Sequence, residues 1–381
     1  MANPVYFVAA PGRRRDLQSL QILRAVAILA VLLVHLAMLT AHALWLPGYL
    51  FIPTFFEASV DLFFVISGFI MVYASAKLFG RPHASISFFA MRVVRIVPLY
   101  WAVTGLVLVA LLRGQTGLAA LDLSWPAIGA SFLFVPYARP SGLTWPLLQV
   151  GWTLNYEMYF YSVFAVALVL PRRLAIAAIS FLFAALVAIR LTGDAWPAWF
   201  EFLSRPIVFD FCYGMIIALA FAHGYRLRPV FAVGLIVAAC AGLAATGAMD
   251  VGNWRTVVWG LPVAAILAAA LTFEEKAGTG LLGRAFVLIG NASYSLYLVH
   301  LPVMLTASRL LPRLIDPVTW PWLSVALLGA LPIAAALVSY FLFERPITHW
   351  LQARVRAALP ARETVPAAAV GLPAASAAAT R

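Results

Sequence analysis

The stretch that decides the fold is the first long apolar segment, Leu20 to Thr40, with the sequence LQILRAVAILAVLLVHLAMLT. It matches the ~20 apolar residues that a helix needs to cross a bilayer. It also contains two ionisable side chains, Arg24 and His35. Such groups are costly in a spanning helix unless they face a bundle interior or a wet cavity, so both are candidate functional residues.

Arg24 and His35 lie on one face of the predicted helix. At about 100° per residue, the offset between them leaves about 20° of net rotation. At about 1.5 Å of rise per residue they are ~16 Å apart along the axis, about half of a hydrocarbon core. The two groups therefore share a stripe but lie at different depths. His42 lies within about 20° of the same face and extends the stripe.

The composition excludes a soluble domain. Of the 381 residues, 64% are hydrophobic and 10% are charged, and the mean hydropathy is +0.96. A soluble surface needs far more charge. We therefore expect an all-α integral membrane protein, a single bundle of about ten transmembrane helices. The predicted spans are approximately 20–42, 54–76, 90–112, 150–170, 173–191, 204–222, 229–247, 254–272, 284–307 and 321–343.

The predicted membrane domain covers residues 20–346. A basic cytoplasmic lead, residues 1–19, precedes it, and a cytoplasmic tail, residues 347–381, follows it. The tail is rich in Ala and Pro, and we expect disorder after about residue 357. Residues 113–149 form the longest connection and are too apolar for a free linker. We expect this external segment to fold back over the outer mouth as a short helix or re-entrant lid.

The net charge of +12 and the isoelectric point near 10.2 follow from the topology. If the N-terminus is cytoplasmic, basic residues concentrate in the inner loops, as the positive-inside rule requires. This predicts a multi-pass membrane protein, in contact with lipid and with both termini cytoplasmic. The sequence has no nucleic-acid-binding motif, disulfide framework or metal-ligand spacing. The predicted inner loops hold Arg13, Arg14, Arg15, Lys77, Arg81, Arg92, Arg95, Arg172, Arg173, Arg226, Arg228, Lys276, Arg284, Arg345, Arg354, Arg356 and Arg362, and the outer loops hold Arg113, Arg139, Arg190, Arg205, Arg255, Arg309 and Arg313.

Two acids lie at the start of the second span. Asp61 opens the span and Glu57 lies one helical turn before it. At this depth, comparable to that of His35, a carboxylate is able to orient the imidazole or stabilise its cation. The alternative is an interfacial acid wetted by the external solution. Ser67-Gly68, in the middle of the span, is typical of tight helix packing in membranes.

Arg92 and Arg95 mark the inner end of the third span. Two guanidinium groups three residues apart on one helix face can hold a di- or triphosphate by bidentate hydrogen bonds. The alternative is a pair of ordinary inner-leaflet arginines that contact lipid phosphate, and this stretch alone favours the alternative.

Two later spans also contain polar groups. Glu157 lies inside the fourth span, where an unpaired carboxylate is costly, so it is either a polar contact between helices or part of a site. In the ninth span Tyr294, Tyr297 and His300 form a polar ridge at steps of three residues. His300 precedes Pro302, and its alternative role is to satisfy a backbone group that the proline frees.

Taken together and in this order, these stretches resemble the membrane-bound acyltransferase-3 family, especially its exopolysaccharide O-acetyltransferase branch. Each motif is weak alone, whereas the ordered set, which spans Leu20 to Pro346, is specific. The matching residues are Leu23-Arg24-Ala25 with His35, the Asp61 to Ile70 run, Arg92-x-x-Arg95-Ile96-Val97-Pro98-Leu99-Tyr100-Trp101, Trp152-Thr153-Leu154 with Glu157, Tyr294-Ser295-Leu296-Tyr297-Leu298 with His300, and Glu344-Arg345-Pro346.

This resemblance implies transfer of an acyl group, commonly acetyl, from cytoplasmic acyl-CoA to a hydroxyl of a polysaccharide or lipid-linked glycan on the external side. It matches His35 to the essential histidine of the family, Arg24 to the arginine of the same span, and Arg92 with Arg95 to the donor-binding pair. The full candidate set is catalytic His35, Arg24, Asp61 and Glu157, donor-binding Arg92 and Arg95, and substrate-binding Glu57, Tyr297 and His300, with no metal.

The chemistry of the residues is compatible with acyl transfer. A neutral imidazole is able to take the proton of an acceptor hydroxyl or to attack the thioester itself, and both roles stay open for His35. The alternative function is a transporter or flippase for lipid-linked glycans, with the same buried charges along a passage. Transporters often have internal inverted repeats, and this sequence has none that we detect. A non-catalytic partner of an export complex leaves the stripe of Arg24 and His35 without a purpose.

Overall fold

The computed structural model of this chain describes residues 17–358 apart from residues 43–49, 51, 82, 115–122, 139–143, 194, 248 and 250. Every regular element in these residues is a helix, which confirms the all-α prediction. The α-helices are α1 (Gln18–His42), α2 (Ala58–Ala74), α3 (Ala84–Leu112), α4 (Trp125–Phe132), α5 (Trp152–Ala167), α6 (Arg172–Arg190), α7 (Ala198–Leu203), α8 (Phe209–Ala222), α9 (Pro229–Ala245), α10 (Leu261–Ala270), α11 (Gly280–Asn291), α12 (Ser293–Leu310), α13 (Pro321–Ser339) and α14 (Arg345–Ala358).

The number of helices able to span a membrane is smaller than expected. Within the described residues, six helical stretches are long and apolar enough. A seventh results if α11 and α12, which meet at a bend of 71°, form one span. The prediction of about ten spans is therefore not confirmed. Apolar runs such as α8 and α9 are shorter than a bilayer because glycines with positive φ, Gly224 and Gly247, follow them closely. The six stretches are Gln18–Ala41, Thr54–Ala74, Ala84–Leu112, Arg172–Arg190, Gly252–Lys276 and Pro321–Ala358.

Helices α2 and α8 pack backbone against backbone. A Cβ atom added to Gly68 would overlap the carbonyl oxygen of Phe211, and one added to Gly214 would overlap the carbonyl oxygen of Val65. The two backbones therefore touch, and the Phe64 and Phe211 rings stack beside them with centroids 4.7 Å apart. This is the close helix packing that the sequence predicts for Gly68.

The segment between α3 and α5 folds back on the bundle. Its short helix α4 packs on the second half of α3, where the Tyr100 hydroxyl donates to the carbonyl of Ser131 at 2.8 Å. The Ser131 hydroxyl accepts from the backbone N–H of Leu147 at 3.0 Å, and Leu147 is fully buried. The short helix expected between residues 113 and 149 is thus present. Arg139 lies outside the described residues.

The two ends of the described chain border the predicted N-terminal lead and C-terminal tail. A carboxylate from a distant turn holds the start of α1, because Glu274 accepts from the backbone N–H groups of Gln18 at 2.7 Å and Ser19 at 2.9 Å. Helix α14 continues the chain from Arg345 to Ala358. Residues 1–16 and 359–381, which include Arg13–Arg15 and Arg362, lie outside the described residues, as does the side chain of His42.

Candidate active site

The largest group of candidate residues lines a cavity of about 370 Å³ between α1, α2, α3, α5, α12 and α14. We call it the first cavity. It begins near the start of α1 and of α3 and extends along α5 and α12 towards the middle of the bundle. Its charged and hydroxyl-bearing lining includes Arg24, Arg92, Arg95, Glu157, Tyr297 and Glu344. Five of these six were candidates from the sequence, and they come from four different helices.

Two of the arginines that line the first cavity, Arg24 and Arg95, have no protein partner among the described residues. The guanidinium of Arg92 lies over the rings of Phe88 and Tyr161, at 5.2 and 5.7 Å from their centroids. A guanidinium group offers five donors in a fixed fork, so this part of the cavity is suited to an anion with several oxygens.

The two acids of the first cavity are held by hydroxyl groups. Glu157 accepts hydrogen bonds from the hydroxyl of Tyr161 and, at 3.4 Å, from that of Ser67. Glu344 is buried and accepts from the Ser295 hydroxyl at 2.6 Å. Because hydroxyls hold these carboxylates, the guanidinium groups of Arg24 and Arg95 remain available to a ligand.

His35 lies outside the lining of the first cavity and pairs instead with His300. Their rings meet edge to face with centroids 5.0 Å apart. His35 Nδ1 lies 2.9 Å from the carbonyl oxygen of Val31, and His300 Nδ1 lies 3.0 Å from that of Leu296. A carbonyl only accepts, so each Nδ1 donates, and Nε2 is left as the basic nitrogen of a neutral ring.

The position of His300 argues against a purely structural role for it. Pro302 removes the hydrogen bond to the carbonyl of Leu298, four residues earlier, whereas His300 bonds to the carbonyl of Leu296. His300 is fully buried, and its Nε2 has no hydrogen-bond partner among the described residues. A buried polar atom without a partner is costly and calls for an explanation in terms of function.

Tyr297 forms the wall between the first cavity and the two histidines. Its ring lies 6.0 Å from that of His300, and Tyr297 is also one of the residues that line the first cavity. The hydroxyl donates to the carbonyl of Val150 at 3.0 Å and lies 2.8 Å from Thr153 Oγ1. Both ends of the stripe thus face α12. The Arg24 end lies at the first cavity, and the His35 end lies against the ring of His300.

The two acids at the start of α2 do not contact His35. Asp61 is fully buried and forms a bidentate ion pair with Arg255, with its Oδ2 2.7 Å from Arg255 Nη2 and its Oδ1 3.0 Å from Arg255 Nε. Arg255 also donates to the backbone carbonyl of Glu57 at 3.1 Å, and the Glu57 side chain is exposed. The hypothesis that Asp61 orients the imidazole is therefore wrong, because a guanidinium fork occupies the carboxylate and a carbonyl of α1 occupies Nδ1 of His35.

A family model described as an acyltransferase domain matches residues 17–340. The chain belongs to this acyltransferase-3 family. It is 39% identical to the exopolysaccharide production protein ExoZ of Rhizobium meliloti (strain 1021) over 64% of this chain and 75% of that protein. It is 29% identical to the putative membrane-bound transacylase BcsY of Komagataeibacter xylinus over 88% and 83%, and 25% identical to the acyltransferase MdmB of Streptomyces mycarofaciens over 79% and 82%. No solved structure matches the chain. The protein is a multi-pass membrane acyltransferase, as its motifs predicted.

Three residues of this acyltransferase were missed as site candidates by reasoning from the sequence. Glu344 and Arg345 entered only as a motif of the resemblance, yet both line the first cavity together with His349 of α14. An acid near the end of an apolar span was the available signal for Glu344. Arg345 and His349 had no signal, because basic residues at the end of a span are ordinary topology markers.

Proposed function

We propose that this acyltransferase moves an acetyl group from cytoplasmic acetyl-CoA to a hydroxyl of an exopolysaccharide or other cell-surface glycan on the external side of the membrane. The observation that carries the proposal is the first cavity, in which Arg24 and Arg95 have no partner among the described residues. Unpaired guanidinium groups inside an apolar bundle are costly unless a ligand or water meets them.

The donor would enter the first cavity with its phosphates among Arg24, Arg92 and Arg95. Phosphate oxygens match the fork of a guanidinium, and these arginines stand in the first half of α1 and of α3. Arg345 of α14 lines the same cavity and adds positive charge near this end, and His349 lines it as well. The pantetheine arm would then run along α5 and α12, past Glu157, towards Tyr297 and the histidines.

His35 would act as the general base. Its Nε2 takes the proton of the acceptor hydroxyl while the hydroxyl oxygen attacks the thioester carbonyl, the carbon–sulfur bond breaks, and the thiolate of CoA leaves. His300, in ring contact with His35, would hold the imidazole in place, and Tyr297 would separate it from the phosphates. Glu57, exposed beside the start of α2, would contact the acceptor.

The arginine distribution supports a cytoplasmic N-terminus in the bacterial inner membrane. In a chain with Cys212 and Cys240 replaced by Ala, a membrane-impermeant thiol reagent added from outside should label a cysteine at position 139 and not one at 77 or 226. If the reagent labels position 77 or 226 and not 139, the orientation is the reverse of the proposed one, and the proposal that the donor is cytoplasmic is wrong.

The named relatives support the choice of acceptor. The name of ExoZ refers to exopolysaccharide production, and that of BcsY to a membrane-bound transacylase. In the decisive test, the purified full-length protein in liposomes is given acetyl-CoA and glycan from cells that lack it. We expect free CoA thiol to appear only with glycan present, and mass analysis to find acetyl esters on that glycan. Glycan that crosses the membrane without consumption of acetyl-CoA would instead indicate a transporter.

A further inference from the structure

A second cavity, of about 320 Å³, lies at the opposite end of the bundle from the start of α1. It is formed by the first turns of α5, the end of α6, the chain around α7 and the residues that precede α10. Arginine dominates its charged lining. Arg190, Arg205 and Arg255 contribute to it, together with a single acid, Glu201, and the aromatic rings of Trp152 and Tyr156.

The arginines of the second cavity keep donors that protein groups do not use. Arg205 is exposed and makes no hydrogen bond or ion pair with any described residue; its guanidinium lies only over the Phe202 ring, at 5.9 Å. Arg190 donates to Asn253 Oδ1 at 3.0 Å and lies 3.7 Å from Glu201, while its buried Nε has no partner among the described residues. The 3.7 Å ion pair involves an acid side chain that is 47% exposed, so it accounts for little of this charge.

The position of these arginines is unusual for a membrane protein. With the orientation proposed above, the second cavity opens on the external side, where the positive-inside rule disfavours arginine. The external margins hold few arginines, and three of them converge on this one cavity. Topology therefore does not explain them, and Arg255 alone is explained by its pairing with Asp61.

Helix α5 separates the two cavities. Trp152 and Tyr156, one turn apart, line the second cavity, and Thr153 and Glu157, the residues that follow each of them, line the first. Next to the second cavity, the turn Thr54–Glu57 packs against α1, and the backbone carbonyl of Glu57 accepts a hydrogen bond from Arg255. A ligand in the second cavity therefore lies beside the wall of the first cavity and at the same end of the bundle as His35.

We propose that the second cavity binds an anionic group of the acceptor glycan, through its carboxylate or phosphate oxygens. This deepens the proposed function, on which it rests. Arg205 and the free Nε of Arg190 supply the charge-assisted hydrogen bonds, and Trp152 supplies an aromatic surface for a neighbouring sugar. Carboxylates of acidic sugars and the diphosphate of a lipid-linked glycan share this oxygen chemistry, so the acceptor is acidic in either case.

The test measures steady-state kinetics of the full-length protein in liposomes, with labelled acetyl-CoA and three acceptors. These are glycan extracted from cells that lack the protein, the same glycan after chemical reduction of its carboxyl groups, and the same glycan after mild acid has released it from lipid diphosphate. The variants are Arg205→Gln and Arg205→Lys. Arg309→Gln, an exposed arginine of α12 that lines neither cavity, is the matched control.

We expect Arg205→Gln to raise the KM for untreated glycan about 10- to 100-fold, with an unchanged KM for acetyl-CoA, because it removes a charged hydrogen bond. Arg205→Lys should retain most of the affinity, and Arg309→Gln all of it. One of the two chemical treatments should weaken wild-type binding to the same degree and abolish the difference from Arg205→Gln. Carboxyl reduction would identify a carboxylate, and acid release would identify the diphosphate.

An unchanged glycan KM in Arg205→Gln would overturn the proposal, as would equal losses in the Gln and Lys variants, which would indicate shape rather than charge. So would a glycan that binds equally well after both treatments. Absence of acetyl transfer by the wild-type protein to every acceptor is a different result, because it removes the proposed function itself. The KM for acetyl-CoA, measured in every variant, reports whether the variant is folded.

Discussion

The two ends of the polar stripe on α1 differ in a way that separates two tasks. At the Arg24 end, the structure has a cavity lined by four arginines, two of which, Arg24 and Arg95, lack a protein partner among the described residues. At the His35 end, two imidazole rings pack against each other. A cavity lined by guanidinium groups is suited to binding a large anion, whereas a pair of imidazole rings with a free Nε2 is suited to moving one proton.

This difference indicates that the stripe consists of two separate sites, with a side chain between them, rather than one continuous polar path. Tyr297 is that side chain, since it lines the cavity on one side and contacts His300 on the other. Substitutions at one end should therefore change donor affinity alone and those at the other should change turnover alone.

The largest effect is expected at the histidine end. His35→Ala and His35→Gln should each lower kcat about 10²- to 10⁴-fold, because the general base is lost, while the KM for acetyl-CoA stays close to that of the wild type. The wild-type rate should also fall at acidic pH as the imidazole takes up a proton. His223→Gln, a histidine on the surface outside the site, is the control. Near-normal turnover in either His35 variant would make His35 a packing residue and break the comparison.

The next largest effect is on stability, and it distinguishes the paired Arg255 from the unpaired Arg24. Asp61→Asn leaves Arg255 without its counter-charge and should lower the free energy of unfolding by about 3 kcal/mol, as removal of one member of a buried ion pair does. Arg24→Met removes an unpaired charge from an apolar bundle and should leave thermal stability unchanged or higher. The stability of both variants is measured by thermal unfolding of the purified proteins in detergent. If Arg24→Met is the less stable of the two, Arg24 is a structural residue.

A smaller effect is expected at the arginine end. Replacement of both Arg92 and Arg95 by Ala should raise the KM for acetyl-CoA about 10- to 100-fold, since charge-assisted hydrogen bonds to phosphate are lost. Lys at either position should restore this only in part, because the bidentate fork is absent. The matched control is the double replacement of Arg172 and Arg173, neighbouring arginines outside both cavities. Donor binding that survives in the Arg92/Arg95 variant would reduce the pair to topology markers.

The smallest effect concerns the wall. Tyr297→Phe keeps the ring and removes the hydrogen bonds to Val150 and Thr153, so the free energy of unfolding should fall by about 1 kcal/mol. Turnover should change only a few-fold, since the ring still separates the two ends. A loss of kcat as large as that of His35→Ala would show that the hydroxyl takes part in transfer, and the wall would then belong to the histidine site.

Local patterns in the sequence were sufficient for the helical fold and for part of the site. Periodicity placed Arg24 and His35 on one face, and a three-residue step placed Arg92 and Arg95 together, because both relations depend only on helix geometry. In the structure, Arg92 and Arg95 line the same cavity as Arg24, and His35 contacts His300 of α12. Hydropathy was less reliable for the number of spans, because it measures composition and does not register where each helix begins and ends; α5, α8 and α9 have only 16, 14 and 17 residues.

Pairings between distant helices were not predictable from those patterns. Asp61 and Arg255 lie 194 positions apart, and nothing local distinguishes an acid that meets an arginine from one that meets a histidine. The contact of His35 with His300 likewise joins residues that are distant in the sequence, and no local pattern predicts it. Such contacts depend on how α1, α2 and α12 pack, which is a property of whole helix surfaces rather than of spacing along one of them.

The thin partition between the two cavities has a consequence for the energy supply of the cell. With the orientation proposed above, the two cavities would open towards opposite aqueous compartments with α5 between them, since neighbouring residues of this helix line one cavity or the other. The backbones of α2 and α8 touch at Gly68 and Gly214, and the Tyr297 ring stands between the first cavity and His300. Under the proposed function, these contacts would limit the leak of protons and small ions during acyl transfer, so that acylation would not dissipate the electrochemical gradient across the same bilayer.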